Sequence, residues 1–259
     1  MNLRLRTRDD MTFDLSGGYN SVGITRGENI LELDIVEKTY GHGGVFIGER
    51  RLSTQEFTIT VELNYATDTT YRAAYNEIAY YSAVCEYVED TDNSLRTKVE
   101  LVNISEILDN PIGSKERGGQ IQIIFRQLTP FWEDLTAQTD TDTGTNLTFN
   151  INNSGVIDCP ATFTITASTS CPLVLIYISS PVRGIEIQDL AFGDNATLDE
   201  MVIDNEAGTV ELGDDSIDRT DRIRGGSGFF DFPVGAFTLN VDFTVSCQCD
   251  ISWRRRWYI

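Results

Sequence analysis

The sequence predicts a mostly β protein of two domains, an α+β N-terminal domain followed by a C-terminal β-sandwich. Three observations support this fold class: a long strand with strict alternation, a single amphipathic helix after it, and a series of short strands over the second half. A chain of 259 residues is long enough for one large or two ordinary domains. We therefore expect residues 1–133 and 134–259 to fold as separate domains.

The clearest strand lies over residues 56–65. Apolar residues occupy every second position from Phe57 to Tyr65, with polar residues between them. Because side chains alternate across a strand, we expect one face in a core and the other in water. β-Branched residues predict further strands at 30–36, 99–104 and 121–125. The last of these is nearly continuous in apolar residues, which predicts that it is covered on both faces.

One amphipathic helix is predicted at about 69–83. Its apolar residues recur at the spacing that forms a stripe along one helix face. They are Tyr71, Ala74, Tyr75, Ile78 and Ala79. Asp68 or Thr69 can serve as the N-cap, because a short side-chain oxygen accepts a hydrogen bond from an amide of the first turn. A helix packed on the flanking strands gives an α+β arrangement.

The stretch from 129 to 145 predicts the connection between the domains. Pro130 cannot donate to a strand ladder, and a polar run with turn-forming residues follows it. Beyond this stretch, short strands separated by turn signals predict a β-sandwich or jelly roll. The strands are expected at 147–151, 161–167, 173–178, 185–187, 202–205, 210–212, 228–232, 236–245 and 250–258.

Charge and composition exclude several function classes. The chain has 20 Lys and Arg against 40 Asp and Glu, a net charge of −20. Binding to a phosphate backbone needs clustered cations, so this balance argues against a nucleic-acid-binding protein but is compatible with a surface that DNA passes. His42 is the only histidine, which excludes zinc sites with two or more imidazoles and leaves little for histidine-based catalysis. We expect no cofactor and no metal.

Cysteine usage and hydropathy indicate where the chain is made. The five cysteines are odd in number and scattered, as expected for reduced thiols. No apolar segment follows the N-terminus to mark a secretory signal. The apolar run from Pro172 to Ile178 is far shorter than the roughly 20 residues of a membrane helix. We expect assembly in the cytoplasm and no membrane insertion.

Two clusters of potential metal ligands have simpler structural interpretations. Asp214, Asp215, Asp218 and Asp221 form the densest acidic cluster, but they lack the EF-hand spacing, and a solvated turn explains them. Cys247 and Cys249 point to the same face of a predicted strand. Two buried thiols on the covered face of that strand are the simpler account.

A glycine loop and an arginine run also have two interpretations each. Residues 41–44 are glycine-rich but lack the phosphate-binding P-loop pattern, so they predict a loop between strands or one that becomes ordered on assembly. Arg254, Arg255 and Arg256 lie between Trp253 and Trp257. A stacking patch for nucleic acid is one interpretation. A salt-bridged strand at a protein interface fits the acidic chain better.

Two further function classes fit parts of the sequence. Phe192, Phe229 and Phe230 could stack on sugar rings, which gives the alternative function of a carbohydrate-binding module for host-surface attachment. Burial of these rings in the core is the simpler account. A depolymerase would need paired carboxylates, and a chain with 40 acids always supplies pairs. We expect no enzymatic activity.

Four stretches, taken in order, resemble one known family. The first is the glycine loop, with Gly43, Gly44 and residues 47–52, that leads into the long N-terminal strand. The second is Leu128–Glu133, with its Pro-Phe-Trp sequence. The others are Asn153-Ser154-Gly155 with Pro160, and Phe232-Pro233-Val234-Gly235 with Leu239 and the final Trp253–Tyr258. Together they resemble the distal tail protein of long-tailed (siphovirus-type) bacteriophages, although Ala236 and Phe237 stand where that family usually has Asn.

The resemblance implies a specific architecture and set of partners. The N-terminal domain would be a split β-barrel carrying one helix, and the C-terminal domain a galectin-like sandwich. Six copies would form a ring in the virion at the tail tip, and the ring would contact the tail tube protein, the tape-measure protein and the tail-tip or fibre hub protein. Genomic DNA would pass through the ring without specific binding.

The resemblance and the charge together indicate candidate residues. The assembly and interface candidates are Gly43, Gly44, Arg50, Arg51, Trp132, Arg254, Arg255 and Arg256. A channel for DNA should carry negative charge, because attraction would slow passage. The lumen candidates are Glu56, Glu62 and Asp68.

Overall fold

The computed structural model divides into two compact units, one within residues 1–135 and the other over 136–257. The residues that it describes are 2–15, 21–26, 31–32, 35–37, 44–46, 51–52, 55–65, 67–108, 117–179, 182–225 and 227–257. Each unit has its own hydrophobic core. In the described ranges, no helix is both long and apolar enough to cross a membrane.

The first unit is built from antiparallel strands and one helix. Its elements are β1 (Leu3–Thr7), β2 (Thr12–Asp14), β3 (Ser21–Arg26), β4 (Leu31–Glu32), β5 (Ile35–Glu37), β6 (Gly44–Phe46), β7 (Arg51–Leu52), β8 (Glu56–Tyr65), α1 (Asp68–Ala83), β9 (Cys85–Asp90), β10 (Leu95–Leu108), β11 (Arg117–Gln127) and β12 (Trp132–Asp134). The main sheet has the order β2-β1-β9-β10-β11-β8-β3, and β12 pairs with β10. Two small pairs, β4 with β7 and β5 with β6, stand apart from it.

The alternation predicted for residues 56–65 is confirmed over residues 56–63. Phe57, Ile59, Val61 and Leu63 of β8 are at most 3% exposed, while the polar residues between them are exposed or half-buried. The prediction that the strand around 121–125 is covered on both faces is wrong. Its odd-numbered residues are buried, but Gln122 and Ile124 remain half-buried, because α1 covers only one face of the sheet.

The predicted helix is also confirmed, with a corrected start. α1 begins at Asp68, and its N-cap is Thr67 rather than Asp68 or Thr69. The Thr67 backbone is extended and its Oγ1 accepts a hydrogen bond from the Thr70 amide at 3.2 Å. Tyr71, Ala74 and Ile78 are buried as predicted, and they pack against the core that β8 and β11 contribute to.

The second unit contains the remaining strands. They are β13 (Gln138–Asn153), β14 (Cys159–Ala167), β15 (Leu173–Ser179), β16 (Val182–Gln188), β17 (Glu200–Asp204), β18 (Thr209–Leu212), β19 (Ile217–Asp218), β20 (Asp231–Phe232), β21 (Gly235–Trp253) and β22 (Arg256–Trp257). Their antiparallel order is β16-β15-β21-β14-β17-β18-β19, with β13 paired to β21 and β20 paired to β14. Alternate residues of these strands form the core, as the sandwich pattern predicts.

Two expectations for this unit are wrong. Residues 138–145 were expected in a connection, but they form the first half of β13, because their backbone pairs with residues 247–253 of β21. The strands expected at 236–245 and 250–258 are one continuous strand, β21, which ends at Trp253. Arg254 and Arg255 lie outside any strand.

Candidate functional site

Two of the three acidic lumen candidates share one surface of the first unit. Glu56 and Glu62 project from the side of β8 that faces away from the core. A guanidinium nitrogen of Arg126 lies 3.0 Å from the Glu56 carboxylate. The Gln120 side-chain amide donates to Glu62 at 3.4 Å.

We call this surface the outer face. It consists of Glu56, Thr58, Thr60 and Glu62 of β8 together with Gln120 and Gln122 of β11. The register places Glu62 opposite Gln120 and Thr60 opposite Gln122. The same side of β11 also carries half-buried Ile124 opposite Thr58 and exposed Arg126 opposite Glu56, so the outer face is a mostly polar surface with acids at both ends.

Asp68 does not belong to the outer face. It is the first residue of α1, which packs on the opposite, apolar side of β8. Its carboxylate accepts from Arg72 Nε at 2.9 Å, an exposed pair within one helix turn. The three predicted lumen acids therefore divide into two groups on different sides of the sheet.

The glycine loop falls only partly within the described part of the chain. Gly44 begins β6 and lies opposite Glu37 of β5, and Arg51 begins the pairing of β7 with Glu32 of β4. His42, Gly43 and Arg50 lie outside the described residues. The proposed part of Gly43 and Arg50 in assembly stays a prediction.

Trp132 lies in the core of the first unit. Its side chain is 3% exposed, and its ring centroid is 6.2 Å from that of Phe57. Packing within one chain accounts for this burial and leaves little of the ring for another subunit. A role for Trp132 in assembly stays a prediction.

Two of the four stretches that carry the family resemblance meet at one end of the second unit. Asn153 is completely buried, and its amide donates to the carbonyls of Ile157 and Phe232, each at 3.1 Å. Its Oδ1 accepts from the Gly155 amide at 3.1 Å, which closes the turn. Beyond the turn, the Val156 amide donates to the Arg256 carbonyl at 2.9 Å. One amide side chain thus joins the 153–155 turn to the 232–235 turn.

Close approach of another backbone segment explains why residue 155, in the 153–155 turn, is a glycine. A Cβ added to Gly155 would lie 2.8 Å from the carbonyl oxygen of Arg256 and 3.0 Å from the backbone nitrogen of Arg256. In the second turn, Gly235 has φ +100°, a conformation that residues with a Cβ rarely adopt. The side chain of Asp158 supports that turn by accepting from the Val234 amide at 3.0 Å.

Arg254, Arg255 and Arg256 lie at the same end of the second unit. Arg256 is 9% exposed, and its Nη2 lies 2.6 Å from Glu206 Oε1. Arg255 donates to Ser154 Oγ at 2.8 Å, and its guanidinium lies 5.7 Å from the centroid of the Trp257 ring. Arg254 is half-buried. Among the described contacts, Arg255 and Arg256 bind groups of their own unit, and their role at a subunit interface stays a prediction.

We call this end of the second unit the arginine end, defined by Asn153, Gly155, Glu206, Phe232 and Arg256. Sequence reasoning did not find Glu206, which comes 50 residues before its partner Arg256. No local pattern marks it, because an ion pair between distant residues depends on how the strands are arranged.

The aromatic residues of the carbohydrate alternative are mostly in the core. Phe192 is 0% exposed and Phe230 is 8% exposed. Phe229 is half-buried and lines an open groove of about 540 Å³. Arg183, Asn205 and Asp231 contribute polar groups to the same groove.

The described residues contain no group of three or more His, Cys, Asp or Glu side chains that could hold a metal ion. Asp214 and Asp215 are exposed in the turn before β19, and Asp218 accepts from the Thr220 amide at 2.9 Å. This bond lowers the pKa of Asp218. Cys247 and Cys249 are both buried on one face of β21, as the alternation predicts.

The fold is that of phage hub and baseplate proteins. The crystal structure of SPP1 Dit (gp 19.1), described as a paradigm of the hub adsorption apparatus in phages that infect Gram-positive bacteria, matches with a TM-score of 0.69 and 13% identity over 98% of each chain. The phage P2 baseplate in its activated conformation with Ca matches with a TM-score of 0.53 and 9% identity, over 98% of this chain and 97% of that chain. The same baseplate with Sr gives a TM-score of 0.52 and 9% identity over the same shares.

No family model and no curated protein matches the sequence. At identities of 9 to 13%, the comparison shows a shared fold. The resemblance to the distal tail family is thus confirmed at the level of the fold over nearly the whole chain.

Proposed function

We propose that this chain is a structural protein of a bacteriophage tail tip. Six copies form a ring that joins the tail tube to the baseplate or host-recognition hub and lets DNA pass. The observation that carries the proposal is the match to a phage hub protein over 98% of both chains, with both units included. The chain acts by assembly and has no catalytic residues.

The proposal includes the partners of the ring. The tail tube protein and the tape-measure protein bind on one side, and the tail-tip or fibre hub protein binds on the other. Assembly takes place in the host cytoplasm, and the finished ring is part of the virion. The net charge of −20 supports passage of DNA without specific binding, because like charges repel.

Mass photometry and negative-stain microscopy of the purified chain test the ring. We expect hexamers that appear as a perforated annulus, either alone or after the tail tube protein of the same phage is added. Monomers that stay unchanged with tail tube, tape-measure and hub proteins present would contradict the proposal.

The outer face is the better candidate for the lumen. It combines two acids with neutral polar groups, and Arg126 is paired with Glu56. Replacing both Glu56 and Glu62 with Lys should leave the ring intact and produce salt-dependent retention of short duplex DNA in a gel-shift assay. Asp68→Lys is the matched comparison, because it adds a cation on the helix side. Retention with Asp68→Lys alone would place the lumen on that side instead.

A second candidate function is sugar binding by the second unit. The groove beside Phe229 favours it, because an aromatic face next to a guanidinium, an amide and a carboxylate suits a saccharide. A glycan array with the full chain tests this, with Phe229→Ala as the comparison. Binding that is lost with Phe229→Ala supports it, and an array without binding eliminates it.

A further inference from the structure

One long strand of the second unit lies at an edge of its sheet. β13 has 16 residues, and among the strands that the structure describes it pairs only with β21. The backbone N–H and C=O groups on the other side of an edge strand form a template for pairing with another chain. Natural sheets therefore protect such edges, and the second unit shows how.

The two ends of the described strand order are protected. At one end, the outer side of β16 is covered, because the carbonyl of Glu186 accepts from the Arg224 amide at 2.8 Å. The Gly228 amide donates to the Gly184 carbonyl at 3.1 Å in the same way. At the other end, β19 has only two residues, one of which is Asp218. The edge of β13 is longer, and its own residues protect only part of it.

The first half of β13 carries its own protection. Asp140 and Asp142 place two carboxylates on it, and each accepts a hydrogen bond from the amide of the next residue, at 2.9 and 2.8 Å. A register shift over residues 144–146 then interrupts the ladder with β21. Charged side chains and irregularities of this kind both hinder the addition of a further strand.

The second half of β13, residues 146–152, lacks these features. Its sequence is Asn-Leu-Thr-Phe-Asn-Ile-Asn, with no charged residue and no proline. The side chains of Leu147, Phe149 and Ile151 face the core and are 2 to 4% exposed. The residues between them are exposed and neutral. A strand added at this edge would therefore meet backbone groups and neutral side chains, without disturbing the core.

We propose that residues 146–152 pair with the same residues of a second copy of this chain. Antiparallel pairing about a two-fold axis through Phe149 places Leu147 of one copy opposite Ile151 of the second copy. The alternation of apolar and polar residues is the same from either end of the segment, so polar residues also lie opposite polar ones. Because the segment is neutral, two chains that each have a net charge of −20 meet here without like charges directly opposite.

This contact is separate from the proposed ring. A two-fold contact joins copies in pairs through one shared surface, whereas a ring closes through head-to-tail contacts between different surfaces. Residues 146–152 lie within the second unit, and the inward side chains of each copy stay in the core of that copy. The pairing therefore joins two chains, or two rings where rings have formed.

Sedimentation velocity of the full chain at micromolar concentration tests the pairing. Thr148 of one copy lies opposite Asn150 of the other, so the double variant Thr148→Lys/Asn150→Lys sets like charges against each other. We expect it to have half the subunit number of the parent chain, and Thr148→Glu/Asn150→Glu should behave in the same way. An equimolar mixture of the two variants should restore the parent number, which also shows that both are folded.

A crosslink gives a second measurement without any change of charge. The full chain with Thr148→Cys and Asn150→Cys should form disulfide-linked pairs of chains under mild oxidation, and peptide mapping should place the link between positions 148 and 150. Links between other positions, or none at all, would overturn the proposed register.

The matched control carries two lysines in the first half of β13. Thr139→Lys/Thr143→Lys adds the same charge at exposed positions of the same strand and should keep the subunit number of the parent. Equal numbers for the parent and both edge variants would overturn the proposal, as would halving in the control. Halving from a dimer to a monomer would support the pairing without the ring, and halving that leaves a hexamer would support both.

Discussion

At the residue scale, one buried amide organises the arginine end. Asn153 uses both its donor and its acceptor capacity, toward Ile157, Phe232 and Gly155. A buried polar group of this kind stabilises a unique arrangement only when every partner is present, because an unmet donor or acceptor in the core carries its full desolvation cost.

Asn153→Asp should therefore be strongly destabilising. A carboxylate cannot donate to the carbonyls of Ile157 and Phe232, so we expect a loss of about 3 kcal/mol in the free energy of unfolding at neutral pH. Chemical denaturation measures it. Asn152→Asp is the control, because Asn152 is the exposed residue directly before Asn153 in β13. Equal effects of the two substitutions would contradict this account of the turn.

The same end of the unit contains a carboxyl group that is unfavourable when charged. Partial desolvation raises the pKa of Asp231, an exposed residue of β20, with Asp158 and Glu206 adding to the rise and Arg256 and Arg183 opposing it. The protonated Asp231 contributes its full stability when the pH is below the usual pKa of aspartate. This contribution is lost as the pH rises through the pKa of Asp231 in the folded state. Asp231→Asn should thus stabilise the second unit at about pH 7 and have little effect near about pH 3.

Denaturant titrations of Asp231→Asn and the parent chain at both pH values measure this difference. The control is Asp215→Asn, at an exposed position of the turn before β19, where we expect no change. A stabilisation of the same size at both pH values would show that the titration of Asp231 is not its cause.

The 153–155 turn requires a glycine at position 155 because a larger side chain would clash with its neighbours. Gly155→Ala places a methyl group against the backbone of Arg256, which cannot move aside as a flexible side chain can. We expect a loss of about 2 kcal/mol in the free energy of unfolding. Gly225→Ala is the matched control, because no atom lies within 4 Å of its added Cβ. Tolerance of both substitutions would mean that the turn relaxes.

At the element scale, the apolar pattern and the N-cap of α1 determine different features of the helix. The apolar stripe decides which face of the helix is buried, and the cap decides where the helix begins. Thr67, Asp68 and Thr69 all belong to the residue types that cap helices. Only the extended backbone of Thr67 and its bond to the Thr70 amide distinguish the actual cap.

Thr67→Ala should destabilise the first unit by about 1 kcal/mol through loss of the cap. Thr69→Ala, at an exposed position inside the first turn, should change stability much less. Denaturation curves and hydrogen exchange of the Thr70 amide measure the two effects. Faster exchange of the Thr70 amide in Thr69→Ala than in Thr67→Ala would contradict Thr67 as the cap.

At the scale of the whole molecule, each unit has a core of its own. The core of the second unit includes residues of both β13 and β21, whose pairing extends from Gln138 to Asn153. The segment that looked like a connection in the sequence is therefore part of a sheet, and removing it would leave one side of residues 247–253 without its partner strand.

A fragment of residues 136–257 should accordingly fold and unfold in one cooperative transition. A fragment of residues 147–257 should be markedly less stable or fail to fold, because it lacks the first half of β13. Circular dichroism during thermal and urea unfolding compares them. Equal stability of the two fragments would mean that residues 138–146 behave as a connection, as the sequence suggested.

The sequence by itself was sufficient for features that repeat locally. The period-2 pattern of residues 56–65 and the stripe from Tyr71 to Ile78 predicted a strand and a helix with their buried faces, because each pattern depends only on neighbouring residues. The order of four motifs was sufficient for the resemblance to a tail-tip fold, which the comparison of structures confirms.

The tertiary structure alone decided which distant residues meet. It separated Glu56 and Glu62 from Asp68, buried Trp132, and joined Asn153 to Phe232. These outcomes depend on strand register and on which face the helix covers, and both arise from contacts between residues far apart in the chain. Local periodicity contains no information about such contacts, which is why they became visible only in the folded molecule.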